Sequence, residues 1–314
     1  MIIKLFLYED LKLFHLFLKS LFLLTYMYLL FFKINKKIIK IKVCICTIGK
    51  LENQYIREFV EYYKKLGVDK IYIYDNNEIN GELFETVLFD YISTQFVEII
   101  NYRGYIKSQY KMMNNCYKKN YLKYDWIMFY DIDEFLYLKN YYNIKNYLNK
   151  YKFNKCKIIY LNFIYYTDNN NLYYENKTLL NRFRHYKMYR IYFGKSIIRG
   201  NIPEINITSC HYLTKKIKPC NGFGKFSDKF IKFNSDDKYY YIKHYSFKST
   251  EEYCRKINKG NAVYGNSMKK KINKIKMYFK YNEITIEKIN LFENETGINL
   301  DFFRNKLKMK EAKL

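Results

Sequence analysis

From Ile41 onward short apolar runs alternate with amphipathic ones, and that alternation restricts the fold more than any other feature of the chain. Lys42–Thr47 reads as a buried strand, and Ile56, Phe59, Val60, Tyr63 and Leu66 recur at helical spacing until Gly67 stops the helix. Lys70–Tyr74 reads as a second strand, closing in Asp75-Asn76-Asn77. A short helical piece near Leu83–Tyr91, a strand at Phe96–Ile100 and a helix over 106–121 follow. Strands alternating with helices predict an α/β fold, Rossmann-like, with a mostly parallel central sheet, right-handed crossovers and flanking helices.

The next strand carries acid. In Asp125–Leu136 the apolar run Trp126 to Tyr130 delivers Asp131, Asp133 and Glu134 to its C-terminal edge, where ligands of open α/β sheets bind. Three carboxylates within four residues repel one another unless a cation screens them, so the pattern suits a divalent metal. On its own an Asp-x-Asp is also compatible with an acidic turn that merely closes a strand. No GxGxxG follows the first strand and no GxxxxGK[ST] occurs, so neither a dinucleotide fold nor a P-loop supplies a phosphate cradle. Thr47, Glu52, Asp75, Asn76 and Asn77 stand instead at strand ends, where amides and carboxylates suit a ribose and a base edge while a metal holds a pyrophosphate. That combination points to a nucleotide-sugar site.

Composition enters through the charge. The formal net charge is +26, but Lys, Asn, Ile, Tyr and Phe are inflated together while Pro falls to 2 and Trp to 1. A codon bias produces such a skew, and no zinc-finger or RNP-type signature accompanies it, so no nucleic-acid partner is expected. The seven cysteines are scattered without a CxxC pair, and Cys44, Cys46, Cys116 and Cys156 lie in apolar runs as small buried hydrophobes. This is the pattern of a reducing compartment, and the expected location is cytoplasmic, at the face of a membrane if the N-terminus touches one.

Residues 1–40 are expected to form an N-terminal helical segment. Its uninterrupted apolar part, residues 20–32, is shorter than the roughly 20 residues that cross a bilayer, and Lys33, Lys36, Lys37, Lys40 and Lys42 follow it. Peripheral membrane contact through residues 1–42 and a helix packed on the body of the protein are both open. Residues 41–265 form the expected main domain, and 266–314 a Lys-rich helical C-terminal tail without chemistry. Residues 156–165 read as a strand leaving the sheet, and the basic stretch Tyr174–Arg190 as a solvated face.

Lys42–Thr47, Gly67–Asn77, Gln109, Cys116 and Trp126–Phe135, followed by Lys195-Ser196-Ile197, His211-Tyr212, His244 to Ser249, Glu251-Glu252-Tyr253 and Lys256–Gly260, together resemble glycosyltransferase family 92 of the GT-A superfamily. The resemblance runs over roughly residues 41 to 265. It implies a GT-A fold and transfer of a hexosyl group, galactose first, from a UDP-sugar to a glycan or other hydroxyl acceptor, with inversion. It implies that Asp131 and Asp133 hold Mn²⁺ or Mg²⁺, with His244, or less readily His211, completing the shell and Glu134 supporting it from behind. Thr47, Glu52, Asp75, Asn77, Gln109 and Asp131 would bind the donor, and Lys195 would stabilise the departing diphosphate. Glu204 and Asp228 are base candidates by position only. Two alternatives stand beside this: a metal-dependent nucleotidyltransferase, and a non-catalytic basic protein that binds nucleic acid or membrane.

Overall fold

The computed structural model describes residues 15–27, 41–105, 109–187, 193–203, 205–211, 214, 216–226, 238–259 and 267–311. Residues 15–27 are helical with every residue exposed, and they belong to a compact unit, Met1–Lys40, distinct from a second unit, Ile41–Leu314. Among the described residues no helix is long and apolar enough to cross a membrane.

The second unit begins as the expected alternation. Strands β1 (Val43–Gly49), β2 (Lys70–Asp75), β3 (Val97–Asn101) and β4 (Trp126–Phe129) lie in the order β3-β2-β1-β4, every neighbouring pair parallel. Helices α1 (Asn53–Lys65), α2 (Glu85–Ser93) and α3 (Gln109–Asn120) join them. Because strand side chains alternate between faces, β1 serves two cores. Val43 and Ile45 pack in one cluster with Ile56, Phe59, Val60 and Tyr63 of α1. Cys44 and Cys46 pack in another with Met112, Met113 and Cys116 of α3.

Beyond β4 the sheet changes character. Strand β5 (Glu134–Leu138) does not pair with β4; the turn at Asp131–Asp133 sends it to the far edge, and the order continues β4-β8-β6-β9-β5. Strand β8 (Gly194–Arg199) is antiparallel to β4 and to β6 (Ile158–Tyr166), β9 (Tyr240–His244) is parallel to β6, and β5 is antiparallel to β9. The short β7 (Tyr186–Lys187) pairs with β6. The sheet is therefore parallel in its first half and mixed in its second. The 156–165 stretch, expected to leave the sheet, instead supplies β6, an interior strand between β8 and β9 that is buried along its whole length. Gly194 permits this, because a Cβ there would stand 2.0 Å from the Leu161 carbonyl oxygen.

Helices α4 (Ile144–Leu148), α5 (Leu179–Arg182), α6 (Thr250–Lys259), α7 (Met268–Tyr281), α8 (Ile286–Thr296) and α9 (Asp301–Glu311) complete the described elements. The core does not stop at residue 265: Ile275, Tyr278 and Phe279 of α7, Ile289 and Phe292 of α8 and Phe303 of α9 join the cluster holding Phe247, Tyr253 and Ile257. The Tyr278 hydroxyl donates to Asp168 Oδ2 at 2.6 Å, and Lys288 Nζ lies 2.7 Å from the same oxygen. Most of the lysines that make this tail look solvated lie on outer positions, Lys288 being buried against Asp168, while Tyr278, Phe279, Tyr281, Phe292 and Phe303 face inward.

Two disulfides correct the cysteine reading. Cys46 on β1 is bonded to Cys116 on α3, and Cys156 to Cys220, leaving Cys44, Cys210 and Cys254 free. The partners are 70 and 64 residues apart, so no local spacing announces them. Cys46, Cys116 and Cys156, expected as small buried hydrophobes, are thus bonded, and only Cys44 of the four is a free buried thiol.

Candidate active site

The parallel half brings the ends of β1 and β4 to one edge, and the acid-bearing turn closes it. Glu134 N donates to the Asp131 carbonyl at 3.0 Å and Asp131 N to Glu134 Oε2 at 3.0 Å, so the turn is folded on its own carboxylate. Glu134 stands directly opposite His244 in the β5–β9 ladder. His244 Nε2 is 3.6 Å from Asp133 Oδ1 and 4.0 Å from Glu134 Oε1.

Asp133, Glu134 and His244 each offer one donor atom within 4.8 Å of the others. Among the described residues Glu134 Oε1 is buried without a hydrogen-bond partner. Two carboxylates and an imidazole converging around an unsatisfied oxygen suit a divalent cation such as Mn²⁺ or Mg²⁺. Asp131, expected as a ligand, instead places Oδ2 2.9 Å from Lys195 Nζ, and its Oδ1 faces Gln109 Nε2 at 3.4 Å.

Charge is distributed unevenly over these groups. Burial works to raise the pKa of Asp133, but the Lys256 ammonium, 2.8 Å away, and the His244 ring outweigh it and hold the carboxyl well below its ordinary value. For Asp131 burial again opposes ionisation, and Lys195 prevails to leave the pKa lowered. Glu134 goes the other way: burial pushes it well above the carboxylate range, Lys195 at 3.6 Å offsets only part, and Asp131 and Asp133 add to the rise. Burial lowers the pKa of His244, against the pull of Asp133, which favours the neutral imidazole that ligates metal.

A cleft of about 270 Å³ opens over the turn, lined among others by Glu52, Asn76, Gln109, Asp131, Asp133 and His244. Thr47, Asp75 and Asn77 do not line it. Asp75 is consumed by Arg103 at 2.6 Å and by two donors of Asn77, while Asn77 Oδ1 accepts from Leu51 N, so the pair braces the loop after β1 from beneath. Lys195 is only 2% exposed and sits behind Asp131 and Glu134, away from the cleft wall. His211 bonds the Gly194 carbonyl through Nδ1 at 2.9 Å and lies outside the metal cluster. Glu204 and Asp228 lie outside the described residues.

Lys256, Lys259 and Ser246 line the cleft without having been singled out from sequence for a role. The signal was available, since all three fall within the motif blocks that run from His244 to Gly260. The basic stretch also hides a buried ion pair. Arg182 donates through both Nη atoms to Glu252, at 2.7 and 2.8 Å, and is no part of a solvated face.

An α/β sheet with an acidic turn at the carboxyl ends of its strands defines the class: a domain whose ligand site lies in the crevice at those strand ends. The family follows from comparison. The model of glycosyltransferase family 92 matches residues 39–290, and the chain belongs to that family. A glycosyltransferase family 92 protein of Oryza sativa subsp. japonica is 29% identical over 109 residues, which is 35% of this chain and 18% of that protein. One of Arabidopsis thaliana is 30% identical over 105 residues, covering 33% and 18%. A galactan beta-1,4-galactosyltransferase of Arabidopsis thaliana is 30% identical over 98 residues, covering 29% and 19%. The matched part thus spans under a fifth of each of these curated relatives. Among solved structures, S. aureus TarS 1-349 in complex with UDP-GlcNAc aligns at 12% identity with a TM-score of 0.40, covering 82% of this chain and 80% of that one.

Proposed function

We propose that this protein is a metal-dependent glycosyltransferase that moves a hexosyl group from a nucleotide-diphosphate sugar to a hydroxyl of a glycan acceptor, with inversion. The observation that carries the reading is the convergence of Asp133, His244 and the buried Glu134 at a cleft that Asp131, Asp133 and His244 line. Asp133, Glu134 and His244 would hold the ion, whose chemistry is Lewis-acid stabilisation of the leaving diphosphate. Lys195 keeps Asp131 ionised, and Gln109 orients it. Glu52 and Asn76 on the wall meet the nucleoside.

A second cavity of about 570 Å³ adjoins the cleft and shares Glu52, Lys256 and Lys259 with it; its Gln54, Arg255 and Asn258 suit a polyhydroxylated acceptor. Glu204 and Asp228 remain the base candidates. The family relative named a galactosyltransferase makes UDP-galactose the first donor to test. The two disulfides support oxidising surroundings for the enzyme, in place of the cytoplasm.

The test is turnover of UDP-, GDP- and CDP-sugars with Mn²⁺ or Mg²⁺ and with chelator, in the wild type and in Asp131→Ala and Asp133→Ala variants that stay folded. Metal-dependent turnover lost in both variants is expected. Folded variants that bind UDP and metal as well as the wild type would sink the site assignment.

A further inference from the structure

Among the described residues three lysines line the cleft, and Lys195 is not among them: Lys50 pairs outward with the exposed Glu78, and the other two belong to α6. Lys256 and Lys259 stand three residues apart, on one face of the helix, and both line the cleft and the adjoining cavity. Lys256 Nζ is 2.8 Å from Asp133 Oδ2 and donates to the Ser246 carbonyl and hydroxyl at 3.1 and 3.2 Å. Lys259 bonds Glu52, and Lys248 lies 3.6 Å from the other Glu52 oxygen, packed 3.4 Å from the centroid of the Tyr55 ring. Lys248 has a φ of 54°, a left-handed backbone that a lysine keeps only where its surroundings hold it. Three ammonium groups on this wall share two carboxylates, Glu52 and Asp133, one of which is a candidate metal ligand.

We propose that Lys256, seconded by Lys259, is the group that receives the donor's diphosphate, exchanging Asp133 for a phosphate oxygen when a divalent cation takes Asp133. The inference rests on the nucleotide-sugar reading above and adds the residue that grips the anion. Charge balance argues for an exchange. Asp131 faces Lys195, and Asp133 and Glu52 face Lys248, Lys256 and Lys259, so each of these carboxylates already has its ammonium. A dication and a diphosphate entering together keep that balance, whereas either alone upsets it. Metal and nucleotide therefore strengthen each other's binding, and do so reciprocally. Lys256 competes with the metal for Asp133 before the donor arrives and binds the donor afterwards.

Replacing Lys256 by Gln thus acts in opposite directions on the two ligands. Mn²⁺ alone should bind several-fold more tightly to Lys256→Gln than to the wild type, because its competitor at Asp133 is gone. UDP in the presence of Mn²⁺ should bind at least about tenfold more weakly, the loss of a charge-assisted hydrogen bond, with uridine unchanged. Lys256→Arg should keep most of the UDP affinity. Titration calorimetry with Mn²⁺, UDP and uridine on the full chain reads all of these. Undiminished UDP affinity in Lys256→Gln, or a joint fall in Mn²⁺ and UDP affinity, overturns the inference while wild-type UDP binding leaves the function intact. A wild type that binds neither UDP nor uridine overturns both.

Discussion

Glu252 is held from three directions: both Nη atoms of Arg182, the Ser249 amide at 3.0 Å and the Tyr55 hydroxyl. Burial opposes its ionisation, but the bonds from Arg182, Ser249 and Tyr55 win and bring its pKa down to about 2. A carboxylate depressed on folding adds stability at pH values above its unfolded pKa, and that stability is lost as pH falls through the folded value. Glu252 should therefore contribute about 3 kcal/mol near neutrality that disappears between roughly pH 4.5 and pH 2. Denaturant unfolding of wild type and Glu252→Gln across that window checks it: the gap between them should close as pH falls, and a gap constant with pH contradicts it. At this scale the sequence displayed Asp131 and Asp133 plainly, because an apolar run pointed at them. Arg182 was misread since its partner lies 70 residues away, and a charge looks solvated until its counterion is located. Lys195 and Lys256 were visible as motif members, but which one fronts the cleft depends on side-chain burial, which residue type does not encode.

The elements of the parallel half were legible to within two or three residues, since each is a local period of apolar side chains closed by a turn. The second half was not, because β6, apolar but for Asn162, reads the same inside a sheet as at an exit. Its antiparallel neighbour β8 fits only through the bare backbone at Gly194. The disulfides belong to this scale too, since Cys46–Cys116 fastens α3, which carries Gln109, to β1. Thiol titration of the denatured, unreduced chain should find the three free cysteines, rising to seven after reduction. Seven before reduction would show that the pairs do not form. Reduction should also lower stability by about 2–5 kcal/mol for each bridge removed, measurable as a lower unfolding midpoint.

On the scale of the whole molecule the lysine-rich C-terminus is the main surprise. Its periodicity announced helices, but the destination of their aromatic face depended on a cluster around Phe247, Tyr253 and Asp168 that only the assembled sheet creates. A chain ended after residue 265 should expose Phe247, Tyr253 and Ile257 and bury the Asp168 carboxylate without Lys288 or Tyr278. It should express as aggregate, or as a protein several kcal/mol less stable, by the cost of a buried charge left unpaired together with a lost core. A truncated chain that unfolds at the same midpoint as the full one would refute this. The opposition of Glu134 and His244 across β5 and β9 carries a further consequence. The spacing of those two donors is set by ladder register, as notches on two rulers laid edge to edge, and a slip of one residue would turn His244 to the opposite face. The register is held in turn by β6, which pairs with β9 and sets Tyr165 beside His244, so of the chain between Leu138 and Tyr240 only the loops outside β6 and β8 can vary without detuning the pair.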